Sequence, residues 1–197
     1  MTLPPPKQVL EAALLAAGEP LSVERLRSLF PETGRPEPGE LRHALAELTA
    51  DYQDRAVELK EVASGFRIQV KPELAPWIAG LWEEKPGRYS RALLETLAII
   101  GYRQPITRGE IEEIRGVSVS TSIMRTLQER DWIRVVGRRE MPGRPGLYGT
   151  TRAFLDYFNL RSLDELPTLA ELQDLDQAHP ELDLRLPEPG RAPGGGS

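Results

Sequence analysis

The sequence has no cysteine among its 197 residues. That removes disulfide frameworks, thiol nucleophiles, thiolate zinc sites and cysteine-ligated clusters together, and it suits a reducing cytoplasm. Histidine is almost absent as well. Only His43 and His179 occur, one off the apolar stripe of a helix and the other in the terminal tail, so a metal pair is not expected. No glycine loop of the kinds that cradle phosphates is present, which leaves nucleotide binding without a scaffold. The neighbouring carboxylates Glu83–Glu84 and Glu112–Glu113 point in different directions from their helices rather than facing one substrate. Neither enzymatic activity nor a cofactor or small-molecule substrate is expected. No uninterrupted apolar run approaches the ~18 residues that span a bilayer. Met1 to Leu10 also lacks a basic start followed by an apolar stretch. Export and membrane insertion are therefore not expected.

Lysine is scarce, 4 residues beside 21 arginines. Because the arginines are spread throughout, this reads as compositional bias rather than a phosphate-binding adaptation. The net charge of -5 hides an uneven distribution. Residues 1–87 carry 10 cations against 14 acids, residues 88–152 carry 12 against 7, and residues 153–197 carry 3 against 9. Any attraction to polyanions must be local to the basic middle.

What is present is a repeated pattern. After Pro4-Pro5-Pro6, the residues Leu10, Ala13, Leu14 and Ala17 recur at helical spacing and Gly18 stops the helix. Ser22 is placed to cap a second helix with Leu26 and Leu29 inward. Pro31 to Gly39 reads as a turn-rich insertion. A third helix from about Glu40 to Tyr52 carries the stripe Leu41, Leu45, Leu48, Tyr52. Val57–Val62 and Phe66–Lys71 flank Ala63-Ser64-Gly65 as a hairpin, and Leu74, Trp77, Ile78 and Leu81 form a closing helical stripe.

Shifting the sequence by 85 residues lays Leu14 on Ile99, Pro20 on Pro105, Leu21 on Ile106, Ser22 on Thr107 and Leu26 on Ile111. Thr107-Arg108-Gly109-Glu110 has capping-box spacing, and Gly116 supplies the left-handed stop. A third helix starts at Ser118 with Val119, Ile123 and Leu127 inward. Strands Trp132–Val136 and Gly146–Thr150 enclose an arginine-containing loop, and Phe154, Tyr157 and Phe158 put three rings on one helical face. Three helices and a hairpin, twice over, describe two tandem winged helix-turn-helix domains in a mainly α, α+β class. The expected domains are 1–87, 88–166 and a disordered acidic, Pro/Gly-rich tail at 167–197.

The stretch Glu95-Thr96-Leu97-Ala98-Ile99-Ile100-Gly101-Tyr102-Arg103-Gln104-Pro105-Ile106-Thr107-Arg108-Gly109-Glu110-Ile111-Glu112-Glu113-Ile114-Arg115-Gly116-Val117 closely resembles the most characteristic run of the segregation and condensation protein B family, ScpB. Glu11 to Leu21, Val136-Gly137-Arg138, Gly143-Arg144-Pro145 and Leu147 to Thr151 agree with it, so the resemblance covers about 8–167. Gly101 departs from it, standing where the family typically has Ala. The resemblance implies a non-catalytic subunit of the bacterial chromosome-condensing complex, associated with the nucleoid. Such a subunit is a homodimer that holds the kleisin ScpA, which bridges the heads of the SMC ATPase.

With the kleisin taken from the resemblance, the candidate groups to bind it are Trp132, Leu147, Tyr148, Phe154, Tyr157 and Phe158, with Arg134 and Arg144 on the rim. Trp77 and Phe154 are expected to fill cores. Candidate dimerisation groups are Ala12, Ala13, Ala16, Trp77 and Trp82 in the first domain. Arg138, Arg139 and Arg144 are placed for weak, nonspecific DNA contact. The alternative function is a winged-helix transcriptional regulator. It is disfavoured because the third helix of the second domain offers chiefly Arg125 and Gln128 for reading base edges.

Overall fold

The computed structural model describes residues 4–81 and 89–168. Trp82 and the tail from residue 169 onward lie outside the described residues. The chain divides into two compact units. One comprises Met1–Gly87 with Leu155–Ser162, and the other Arg88–Phe154 with the chain from Leu163. Leu155–Ser162, expected with the second unit, thus groups with the first.

In the first unit, α1 (Pro6–Ala17) begins at prolines whose fixed φ suits a first helical turn and ends at Gly18, where φ is 66°. Its residues Leu10 and Leu14, one turn apart, are buried. Ser22 caps α2 (Val23–Arg27), its hydroxyl accepting the Arg25 N–H at 3.1 Å. Because α2 stops at Arg27, Leu29 misses the inner face expected of it and is 47% exposed, and Phe30 is buried instead. Helix α3 (Pro38–Asp51) starts with the Glu37 N–H donated to the Glu40 carboxylate at 2.8 Å. Leu41, Leu45, Leu48 and Tyr52 are all buried along it. Each such leucine stabilises the fold by roughly 1.5–3 kcal/mol relative to exposure. The Tyr52 hydroxyl donates to Glu11 at 2.8 Å, and burial, seconded by this bond, pushes its pKa up to about 12.

Strands β1 (Val57–Val62) and β2 (Gly65–Val70) pair antiparallel from Val57↔Val70 to Val62↔Gly65, around the two-residue loop Ala63-Ser64. Leu21 and Phe66 exchange both backbone hydrogen bonds at 2.9 Å, tying the turn before α2 to the hairpin. Leu155–Ser162 holds the same hairpin. Ala63 N–H donates to the Leu160 carbonyl at 2.9 Å, Ser64 N–H to the Asp156 carboxylate at 2.9 Å, and Arg67 to the Asn159 side chain at 2.6 Å. The closing stripe does not form one helix. A 3-10 turn at Pro72–Leu74, α4 (Ala75–Ile78) and a second 3-10 turn at Ala79–Leu81 break its period. Trp77, expected in the core, is therefore 82% exposed and Leu81 77%.

In the second unit, α5 (Arg91–Arg103) buries Leu93, Leu97, Ile99 and Ile100, and the hydroxyl of buried Thr96 is satisfied by donating to the Ala92 carbonyl at 2.7 Å. Gln104 ends the helix. Its amide donates to the Thr150 hydroxyl at 2.9 Å and its oxygen accepts the Thr150 N–H at 2.7 Å. A two-residue strand, β3 (Ile106–Thr107), leads into α6 (Arg108–Arg115), where Thr107 and Glu110 complete the capping box and Gly116 stops the helix at φ 69°. Helix α7 (Thr121–Glu129) is capped by Ser120, two residues later than expected. The Glu112 carboxylate explains the delay, since it takes the Val119 N–H at 2.9 Å and fixes that buried residue before the helix. The register moves with it. Met124 and Leu127 are buried, and Ile123, expected inward, is only half-buried.

Strands β4 (Ile133–Arg138) and β5 (Gly146–Thr150) form the second hairpin, and β3 adds to give the order β3-β5-β4. A bulge lies between Val135 and Gly137 of β4. Helix α8 (Arg152–Tyr157) ends before Phe158, so the three rings expected on one face separate: Phe154 is buried, whereas Tyr157 is 51% and Phe158 39% exposed. Both units thus follow helix, helix, helix, hairpin, with the turn before the second helix hydrogen-bonded to the hairpin. The chain is a tandem of winged-helix units.

Candidate functional site

The cationic hairpin of the second unit is only partly available to an anion. Arg134, Arg138 and Arg144 are exposed, with Arg138 donating to the Arg144 carbonyl at 3.2 Å. Arg139 instead pairs with Glu110, the capping residue of α6. The Arg139 hydrogen bond, together with the Thr107 N–H, lowers the Glu110 pKa from 4.5 to about 2. On α7, Arg125 pairs with Glu129 one turn on at 2.7 Å. Such geometry leaves a few phosphate-reaching cations and little that could read a base edge. Glu110 as the counter-charge of the wing was not foreseen, because capping-box spacing already accounted for it.

The expected ring cluster does not form one surface. Trp132 is buried, packed edge-on to Tyr89 at 5.2 Å, with the Arg130 guanidinium 4.8 Å from the Tyr89 ring and 5.5 Å from the Trp132 ring. Phe154 is buried too, so neither ring presents a face to a partner. Leu147 and Tyr148 are half-buried on β5. Tyr157 and Phe158 are exposed and meet edge to face at 5.1 Å, and they group with the first unit.

On α1 of the first unit, Ala12 and Ala16 are exposed and Ala13 half-buried. The structure adds Leu15, 60% exposed between them. Leu14 is buried, and Leu15, about 100° further round the helix, falls outside the buried face. Trp77 is exposed, while Trp82 lies outside the described residues. His43 is exposed and 3.3 Å from Glu47. Among the described residues no three His, Asp or Glu side chains converge as metal ligands, and no helix is long and apolar enough to cross a membrane.

Helix α5, strand β3 and helix α6 together span the characteristic Glu95–Val117 run. Residues 8–169 match the model of the family described as segregation and condensation complex subunit ScpB. The chain belongs to the ScpB family. It is similar to the segregation and condensation protein B homolog of Coxiella burnetii, 55% identical over 181 residues that cover 92% of this chain and 87% of that one. To the segregation and condensation protein B of Syntrophotalea carbinolica it is 43% identical over 171 residues, covering 86% and 84%. Among solved structures, a crystal structure of a dimer of ScpB N-terminal domain complexed with ScpA peptide is 26% identical, covering 43% of this chain and 92% of that one, with a TM-score of 0.35. Chromosome segregation and condensation is the process in which this family serves as a complex subunit.

Proposed function

We propose that this chain is a non-catalytic adaptor of the SMC complex, working beside the nucleoid in the cytoplasm, that dimerises and holds the kleisin ScpA and through it the SMC ATPase. The observation that carries the reading is the family match over 8–169, almost the whole of the described chain. The exposed aromatic pair Tyr157–Phe158 supports a protein partner, since such rings are common binding anchors. For self-association the favoured surface is α1, where Ala12 and Ala16 permit close approach around Leu15, and Trp77 is a further exposed apolar residue of the same unit. DNA contact, through Arg138 and Arg144 with Arg139 held by Glu110, is weak and blind to sequence.

The test is titration of the purified full chain with its own organism's ScpA, for wild type and for Tyr157→Ala and Phe158→Ala. Wild type is expected to bind, and each variant to lose on the order of 2 kcal/mol of binding with an unchanged melting transition. Absence of binding by wild type overturns the adaptor reading; unchanged binding in both variants moves the contact away from these rings. Sedimentation of full-length Leu15→Asp, expected to dissociate more readily than wild type, tests the dimer surface in the same way.

A further inference from the structure

The arginines of the second unit are partnered unevenly. Helices α6 and α7 contain three, and a carboxylate neutralises each: Glu112 pairs with Arg108 at 3.0 Å, Glu95 with Arg115 at 3.2 Å and Glu129 with Arg125 at 2.7 Å. The hairpin differs. Between Ile133 and Thr150 it carries four arginines and a single acid, Glu140. Arg134, Arg138 and Arg144 are exposed, and among the described residues none of the three pairs with a carboxylate. Arg139 stands apart from them because it pairs with Glu110. That carboxylate works at both ends. One oxygen takes the Thr107 N–H at 2.8 Å and the Thr107 hydroxyl at 2.9 Å, capping α6, and the other takes Arg139 of the wing.

Reading a base edge needs uncommitted donors on a helix, whereas holding a duplex needs only cations that reach phosphates. The first are spent in ion pairs on α6 and α7, and the second are present on the hairpin. A second copy of the hairpin is a poor occupant, since it would bring like charges together. We propose that the hairpin of the second unit is a contact for the phosphate backbone of duplex DNA, and that Glu110 sets its strength by holding Arg139 out of it. This rests on the weak DNA contact proposed above and adds a competing charge built into the fold. The competitor is reachable. The Arg139 and Glu110 side chains are 45% and 39% exposed, and an exposed pair is weak, so phosphates compete for Arg139. Because the cap of α6 rests on the other carboxylate oxygen, Arg139 changes partner without loss of the helix start. Glu110 thus keeps the contact loose, with three arginines engaged at first and the fourth only when a phosphate displaces the carboxylate.

The test is fluorescence anisotropy of the full chain on a short duplex of random sequence, over a salt series. Glu110→Gln is the informative variant, because glutamine also completes a capping box while carrying no charge, so α6 is kept. Wild type is expected to show a log-log salt slope of about -2.7, from three phosphates, and Glu110→Gln a slope steeper by ~0.9 with tighter binding at low salt. In an Arg139→Ala background the same glutamine should leave the slope unchanged. Equal slopes for wild type and Glu110→Gln, with the duplex bound by both, overturn this inference alone. A steeper slope that persists without Arg139 overturns it as well, by making Glu110 a general repulsive charge. Absence of binding by wild type and variant at low salt overturns the DNA contact itself. Preference for polyglutamate over the duplex at equal charge also overturns the proposal, by assigning the wing to an acidic protein.

Discussion

The two winged-helix units share a plan and differ in their surfaces. In both, a hydroxyl residue caps the second helix, Ser22 in one and Thr107 in the other, and the preceding residues hydrogen-bond the hairpin. The first hairpin turns in two residues, and its tip is held by backbone and side chains of Leu155–Ser162. The second carries a longer loop whose arginines are exposed, Arg139 among them although Glu110 engages it. The first unit leaves Leu15, Trp77 and Leu81 exposed; the second buries its tryptophan beneath Tyr89 and Arg130. What this teaches is that apolar periodicity sets the fold while the residues between the apolar positions set the task. On α7 of the second unit, Arg125 is paired with Glu129, which leaves little there to read a base edge.

The largest effects should come from the cores, where the units are equivalent. Leu45→Ala in α3 and Leu127→Ala in α7 remove fully buried side chains, and each is expected to cost ~2–5 kcal/mol in denaturant unfolding. A cost under ~1 kcal/mol for either would break the equivalence, showing that one unit tolerates a cavity. Next comes Gly65→Ala. Its φ of 138° is closed to other residues, and an added Cβ would sit 2.2 Å from the Leu21 carbonyl oxygen. At least ~2 kcal/mol should be lost, together with protection of the Phe66 amide, whereas Gly143→Ala in the second wing, at φ 83° with nothing within 4 Å, should cost about 1 kcal/mol.

The helix caps offer a matched pair. Ser22→Ala and Thr107→Ala should each lose ~1 kcal/mol by thermal melting, with Thr107→Ala the greater because its hydroxyl also contacts Glu110 at 2.9 Å. Gly101→Ala sharpens the comparison in the opposite direction. An added methyl would lie 3.7 Å from Leu166 and 3.8 Å from Phe154, ordinary contact, and α5 gains a better helix former. A gain of ~0.5–1 kcal/mol is expected.

The smallest effect separates the wings. Glu110 holds its proton less tightly in the folded state, at about 2 rather than 4.5. Its ionised form therefore stabilises the second unit fully above pH ~4.5, and the contribution fades as pH falls toward ~2. Both partners are more than a third exposed, so solvent screening keeps the gain well below what the shift alone suggests. Acid titration of wild type and Glu110→Gln should converge in that window; parallel curves would show that the pair contributes nothing.

Periodicity, turn residues and the 85-residue offset made most of this fold legible. The leucine stripe of α3, the stops at Gly18 and Gly116, and both caps follow from local chemistry that acts within one or two helical turns. The candidate surfaces were less legible. Trp77 reads as core because its spacing is helical, yet Pro72 and Pro76 open short turns that dissolve the period. Phe154, Tyr157 and Phe158 read as one face, but burial of one ring and exposure of two depends on where α8 ends.

By itself, then, the sequence determined the tandem winged-helix order, the sign of charge on each part and the family, because these depend on near neighbours and on composition. Only the tertiary structure decided that Glu110 neutralises Arg139, that Gln104 locks β5, that Glu112 delays α7, and that Leu155–Ser162 completes the first unit. Each of those joins groups separated by several to more than ninety residues through directional hydrogen bonds, and such a partner is chosen by the path of the chain in space, which no local spacing encodes.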